Sequence, residues 1–405
     1  MNDSLEKQNI NINAVVEKIQ QFTVETPSWG YGDSGTRFKV FHWPGAARTL
    51  REKLADAAEV NKVTGICPSV AIHIPWDRED NWQAVKEYAS SLGLRIGAVN
   101  PNLFQDDAYR LGSLCHFDKA VRQRAIEHVL ECIRIAQEVG SDIVSLWLAD
   151  GTNYPGQDDL RRRRHRLLDS LQTVYAALPA GMCFLIEYKF FEPAFYSTDL
   201  ADWGTSLLMA HKLGAQAEVL VDTGHHAQGT NIAQIVAHLL DEDRLGGFHF
   251  NDRKYADDDL IVGSLNPFEL FCIFNEIVGA GAEGVANAGR IAYMIDQSHN
   301  IEPKIEAMIQ SVLNVQTAYA KAQLVDRAAL RLAQEAGDVL GAYRVLQVAY
   351  ETDVRPLLCE VRIRQGLDPD PMAAFRASGY AERVARERST SREAPTETPS
   401  GYPGA

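Results

Sequence analysis

The sequence predicts an α/β fold, a (β/α)8 TIM barrel with an appended C-terminal helical segment. Three observations carry that prediction. Short apolar, strand-like runs alternate with amphipathic helical stretches, which implies parallel pairing through βαβ units. Eight such units over about 260 residues match the size of a closed barrel. Polar residues close most of the strand-like runs. The competing arrangement, an open doubly wound sheet, binds its ligand after only one or two strands at a switch point.

The elements follow in order. Apolar positions Val15, Val16, Ile19 and Phe22 have helical spacing, so residues 1–33 read as an N-terminal helical arm, ended by the turn-rich stretch 25–38. Strands are expected at 36–41, 69–74, 94–100, 142–148, 183–188, 217–222, 246–251 and 291–296. Helices are expected between them at 46–64, 81–92, 118–138, 159–177, 199–213, 231–240 and 266–279. The barrel is thus assigned to 34–300. Residues 301–387 are Ala- and Leu-rich and purely helical in pattern, an extension suited to oligomer contacts, and 388–405 is expected to be a disordered tail, too poor in apolar residues to order itself.

Composition narrows the function classes. The chain has 405 residues and a formal net charge of -14, which argues against nucleic acid, where a basic face is expected. The most basic run, 161–166, leads into a helical pattern and reads as a solvated helix face. No apolar stretch approaches ~18 residues, so no membrane span is expected, and no signal peptide is visible. The six cysteines form no CxxC pair and read as free thiols of a reducing compartment. A cytoplasmic protein is the resulting expectation.

The chemistry is concentrated at strand ends. FLIEYK (184–189) runs three apolar residues into Glu187, Tyr188 and Lys189; on a strand Glu187 and Lys189 share one side. VLVDTGHH (219–226) ends in Asp222 and His225, GGFHFND (246–252) carries His249 before a loop with Asp257 and Asp259, and AYMIDQSH (292–299) ends in Asp296. In a barrel such ends converge on one face. Carboxylates and imidazoles with few thiols make the ligand set of a hard-to-borderline divalent metal site. Lys189 reads either as an ion-pair partner or as a fixed charge for a substrate oxygen. His73 and Asp77 close the second strand, as an oriented acid/base or sugar-binding pair or as a satisfied core histidine. Trp76 and Trp147 suit a sugar-pocket wall or the core.

The segments SGTRFKVF, AIHIPWD, WLADGTNYPGQ, IEYKFFEPAFYST, VDTGHH, GGFHFNDRKYADDDL and MIDQSHN, spread over most of 28–300, resemble the L-rhamnose isomerases of the Pseudomonas type, within the xylose-isomerase-like superfamily. The resemblance implies a homotetrameric aldose–ketose isomerase with two divalent metal ions per subunit, Mn2+ first and Co2+ or Mg2+ next, acting on a monosaccharide such as L-rhamnose or D-allose. By position it implies Glu187, Asp222, His249 and Asp296 at a structural metal, and His225, Asp257 and Asp259 at a catalytic one. Lys189 would lie at the sugar oxygen beside the reacting carbons, His73 near the ring oxygen, and Asp296 counts with them as catalytic. Trp29 and Phe38 would close the sugar pocket, and Asp77, Trp76 and Trp147 would contact the substrate. The rival readings are a metal-dependent phosphodiester hydrolase of the apurinic endonuclease kind, which calls for a basic groove, and a sugar-binding barrel without turnover.

Overall fold

The computed structural model describes residues 11–33 and 41–390. Ten strands occur in this region: β1 (Thr26–Pro27), β2 (Ser69–Ile74), β3 (Arg95–Pro101), β4 (Ile143–Trp147), β5 (Gly151–Thr152), β6 (Cys183–Glu187), β7 (Ser197–Thr198), β8 (Ala217–Asp222), β9 (Leu245–Phe250) and β10 (Ala292–Ile295). Eight of them form one parallel sheet in the order β1-β2-β3-β4-β6-β8-β9-β10. A parallel bridge between Glu25 and Met294 joins its two edges, with Glu25 donating to the Tyr293 carbonyl at 2.7 Å and Ile295 donating to the Glu25 carbonyl at 2.9 Å. The barrel is therefore closed. β5 and β7 form a separate antiparallel pair across two of the loops that follow barrel strands.

The first strand corrects the sequence reading. Of the expected strand 36–41 only Phe41 lies among the described residues, outside any strand and 48% exposed. The sheet starts instead at Thr26–Pro27, inside the stretch read as arm and turn. The other expected strands match observed ones within a few residues.

Helices α1 (Ile12–Gln21), α2 (Leu50–Thr64), α3 (Trp82–Ser91), α4 (Lys119–Val139), α5 (Leu160–Tyr175), α6 (Trp203–Leu213), α7 (Ile232–Asp241) and α8 (Pro267–Glu283) are followed by α9 (Lys304–Ala322) and five shorter ones, of which α14 (Tyr380–Thr390) is the last. Local chemistry sets the starts. Thr49, Asn81, Asp118, Asp159, Asp202 and Asn231 each cap a helix by accepting a backbone N–H of its first turn. α9 packs on α8 and α2 and completes the ring around the sheet, so the first helix of the segment expected as an extension is the barrel's eighth. α1 buries Val15, Val16 and Ile19 against Ala320, Leu324 and Leu358.

Strand alternation divides the interior into two. Outward residues such as Phe184, Ile186, Val219, Val221, Phe248 and Phe250 pack under the helices, while Leu185, Leu220, Ala71, Ala98 and Met294 fill the barrel itself. Glu25 lies at the floor, where its Oε1 accepts from Ala98 N; a Cβ at residue 97 would overlap that carboxylate, so the glycine there leaves it room.

Two surface expectations are also revised. Arg163, from the basic run, is buried and donates to Asp199, Asp158 and the Leu111 carbonyl, while Arg161 and Arg162 are exposed as expected. The expected tail is helical to Thr390, and Arg388 is buried against Asp56; the remainder of that tail, 391–405, lies outside the described residues. The described residues contain no helix long and apolar enough to cross a membrane, and all six cysteines are free.

Candidate metal centre

Inward-facing positions at the ends of β6, β8, β9 and β10 are Glu187, Asp222, His249 and Asp296, the residues two steps beyond Leu185, Leu220, Gly247 and Met294. Strand register sets Asp222 opposite His249. Ligand atoms of these four side chains all lie within 4.8 Å of one another. His249 Nδ1 is 3.3 Å from Glu187 Oε2 and 3.4 Å from Asp296 Oδ2. A second set, with the same mutual spacing, joins Asp222 to His225 and Asp257. His225 turns Nδ1 toward the Tyr188 carbonyl at 3.0 Å, which leaves Nε2 facing Asp257 Oδ2 at 3.3 Å. Asp259 lines the same cavity, with Asn251 Nδ2 at 3.4 Å, without joining the second set. Its φ of 49° is in the left-handed region, where the loop turns to bring Asp257 and Asp259 back over the barrel.

The electrostatics are those of a site short of positive charge. Glu187, Asp222, Asp257 and Asp259 are buried and Asp296 partly so, while Lys189 is the cation among them, donating to Asp257 Oδ2 at 2.7 Å. Burial pushes Asp222 up to about 7, with Asp257, Glu187 and Asp296 adding to it against His225. Burial and the same crowd of carboxylates hold Asp259 well above the usual range. Burial opposes charge on His249, but Glu187, Asp296 and Asp222 outweigh it and raise the imidazole to about 9; His225 is raised likewise by Asp222 and Asp257. Protons thus gather where cations would relieve the repulsion. His249 Nδ1 is also buried with no well-formed hydrogen bond among the described residues. A divalent cation fits on both counts.

A third cluster shows the contrast. Cys115, Asp150 and Asp199 also approach one another, but the Arg163 guanidinium donates to Cys115 Sγ at 2.8 Å and Asp199 Oδ2 at 2.8 Å. Its charge is already met by the protein.

Around the first two sets lies a cavity of about 590 Å3 of empty space, open to solvent. Trp29, His73, Trp76, Trp147 and Lys189 line it with every expected ligand except Asp222, which is fully buried behind them. Trp29 Nε1 donates to Asp296 Oδ1 at 2.8 Å. His73 stacks on Trp76 at 3.9 Å, and burial keeps its imidazole neutral, well below the usual value. Burial also acts against the Lys189 charge, but Asp257 and Glu192 more than offset it and the ammonium is held.

Asp77 is placed apart from this group. It does not line the cavity, and it holds no imidazole. Its carboxylate accepts from Lys53 Nζ at 2.6 Å, Ser28 Oγ at 2.5 Å and the backbone N–H of His73 at 2.9 Å, a buried clamp on the end of β2. Phe38 lies outside the described residues. Sequence reasoning missed Asn100, Phe104, Ser145 and Ser298, which line the cavity, and Asn251, whose Nδ2 donates to Asp222 Oδ1 at 3.0 Å. Asn251 stands two residues after His249, so strand alternation was the available signal.

Comparison with known proteins agrees with this geometry. Residues 51–279 match the family model described as xylose isomerase-like TIM barrel. A protein of Rhizobium meliloti (strain 1021) named "Probable sugar isomerase" is 47% identical over 393 residues, 96% of this chain and 91% of that one. An L-rhamnose isomerase of Bacteroides thetaiotaomicron is 27% identical over 262 residues, 57% of this chain and 61% of that one. Among solved structures, that of an L-ribulose 3-epimerase covers 75% of this chain and 98% of its own at a TM-score of 0.54 and 17% identity, a likeness of fold. The chain belongs to the xylose isomerase-like TIM-barrel family.

Proposed function

We propose that this chain is a metal-dependent aldose–ketose isomerase acting on L-rhamnose and related aldoses such as D-allose, and that hydrogen passes between C2 and C1 as hydride. The observation that carries the reading is the convergence of Glu187, Asp222, Asp257 and Asp296 with two imidazoles, with Lys189 on Asp257 and Asp259 beside them, at a solvent-open cavity walled by aromatic rings. The identity to a protein named as a sugar isomerase supports the reaction class, and the more distant L-rhamnose isomerase, with the motifs above, supports the substrate.

Glu187, Asp222, His249 and Asp296 would hold one divalent ion, and His225, Asp257 and Asp222, with Asp259 nearby, the second. When bound, the two ions, Mn2+ by preference, supply positive charge to the adjacent substrate oxygens and polarise the C1–C2 pair. The protein's own groups do the rest. Lys189, kept protonated, stabilises charge on the substrate oxygen next to the reacting carbons. Neutral His73 stands to donate to the ring oxygen during ring opening. Trp29, Trp76, Trp147 and Phe104 wall the sugar and exclude water. Counting Asp259 as a ligand of the second ion, every carboxylate that lines the cavity among the described residues is assigned to a metal and none to C2 as a base. The same reading takes the protein as a cytoplasmic homotetramer, with exposed Leu332, Val339, Leu340 and Tyr343 of the C-terminal helices available for subunit contacts.

Isomerisation in D2O, followed by NMR of the ketose under single-turnover conditions, tests the hydride route. Little solvent deuterium at C1 is expected; near-complete incorporation would make one of the supposed ligands a proton-transferring base.

A further inference from the structure

The cavity has two unlike halves. Metal-type ligands come from β6, β8, β9, β10 and the loops that follow them, whereas β2, β3 and β4 contribute aromatic rings and small polar groups. On β4, Val144 and Leu146 face the helices, so Ser145 and Trp147 face inward. Ser145 is 1% exposed and lines the cavity, and its Oγ has no hydrogen-bond partner among the described residues. Trp147 Nε1 and His73 Nδ1, on the same half, are likewise without one.

A buried hydroxyl without a partner is costly, and an alanine or valine on this strand would pack without that cost. A serine hydroxyl buried at the cavity wall under those conditions is accounted for by a ligand that completes the bond. We propose that Ser145 reads one hydroxyl group of the sugar and is a specificity-determining residue of this site. A serine hydroxyl both donates and accepts, whereas Trp147 Nε1 can only donate, so together they match the mixed donor and acceptor character of neighbouring sugar hydroxyls. The ring of Phe104, 4.8 Å from that of Trp147, supplies the apolar surface beside them. A site built this way rejects a sugar lacking the hydroxyl, because the protein group is then left unpaired. The inference rests on the sugar reading above and adds a residue and a selection rule to it.

The test compares the metal-loaded wild-type protein with Ser145→Ala on an aldose, on a series of aldoses each lacking one hydroxyl, and on the matching unreactive alditols. Wild type should lose about tenfold in kcat/KM, and in alditol affinity, at one deoxy position. Ser145→Ala should show a similar loss on the parent sugar and no further loss on that one deoxy sugar. The ligand-free variant should have an unchanged or raised thermal midpoint, since it removes an unpaired group. Equal penalties on every sugar, no penalty on any, or a lowered midpoint would overturn the proposal, the last by showing that the hydroxyl is bonded within the protein. Coupling seen in alditol binding without turnover in either protein would sustain the role of Ser145 while counting against the isomerase reading.

Discussion

Trp29 joins the aromatic wall of the cavity to its acid cluster. Its indole N–H fixes Asp296 through a 2.8 Å bond, and partners of this kind orient metal ligands. Trp29→Phe keeps the ring and removes the bond, so divalent-cation affinity should fall by roughly 10-fold, as measured by competition with a chromophoric chelator; an unchanged affinity would show that packing alone sets Asp296. Asp77 belongs to the same scale with the opposite meaning. Removing it leaves Lys53 buried without its partner at 2.6 Å, and Asp77→Ala should cost roughly 3–5 kcal/mol in denaturant unfolding. An effect confined to KM would return Asp77 to the substrate. The sequence made His73 and Asp77 look like a pair because they are four apart. The true partners, Lys53 and Ser28, are far along the chain, and no local spacing announces them.

At the scale of elements, the strand ends were legible and the barrel's seam was not. An apolar run stopping at Glu187, Asp222 or Asp296 is a pattern within six or seven residues, and alternation places those side chains inward without any tertiary knowledge. β1 has two residues, one of them proline, so no periodicity marks it; it is a strand only because Glu25 and Thr26 find Met294 and Val70. The same holds for α14. Its last residues, 388–390, are polar enough to read as tail, yet Arg388 reaches the buried Asp56 with Nη1 and Nη2 at 2.8 Å each, and the Tyr380 hydroxyl donates to that carboxylate at 2.7 Å. Arg388→Met should therefore destabilise the protein, toward the low end of roughly 3–5 kcal/mol because Tyr380 remains. A thermal midpoint equal to wild type would show that α14 contributes no stability through this contact.

For the whole molecule the acid cluster links stability, pH and metal. In the metal-free protein His249 is raised to about 9, so its contribution is full below its ordinary value near ~6.5 and is lost as pH rises toward 9. Asp222, raised to about 7, acts in the same direction at lower pH: its contribution is lost as pH rises from its ordinary value near ~4 toward 7. The stripped protein should lose thermal stability from pH 6 to 9. Divalent cations compete with those protons, so the metal-induced rise in midpoint should grow over the same interval; a rise that shrinks with pH would mean that the ions bind elsewhere. The most direct measurement is conversion of L-rhamnose to its ketose by protein exhaustively treated with EDTA, with bound metal determined on the same sample as Mn2+ is added back. No ketose should form in the stripped protein, and activity should return as the ions bind, with Mn2+ or Co2+ restoring it better than Ca2+, which prefers more oxygen ligands. Full conversion by protein shown to hold no metal would contradict the account.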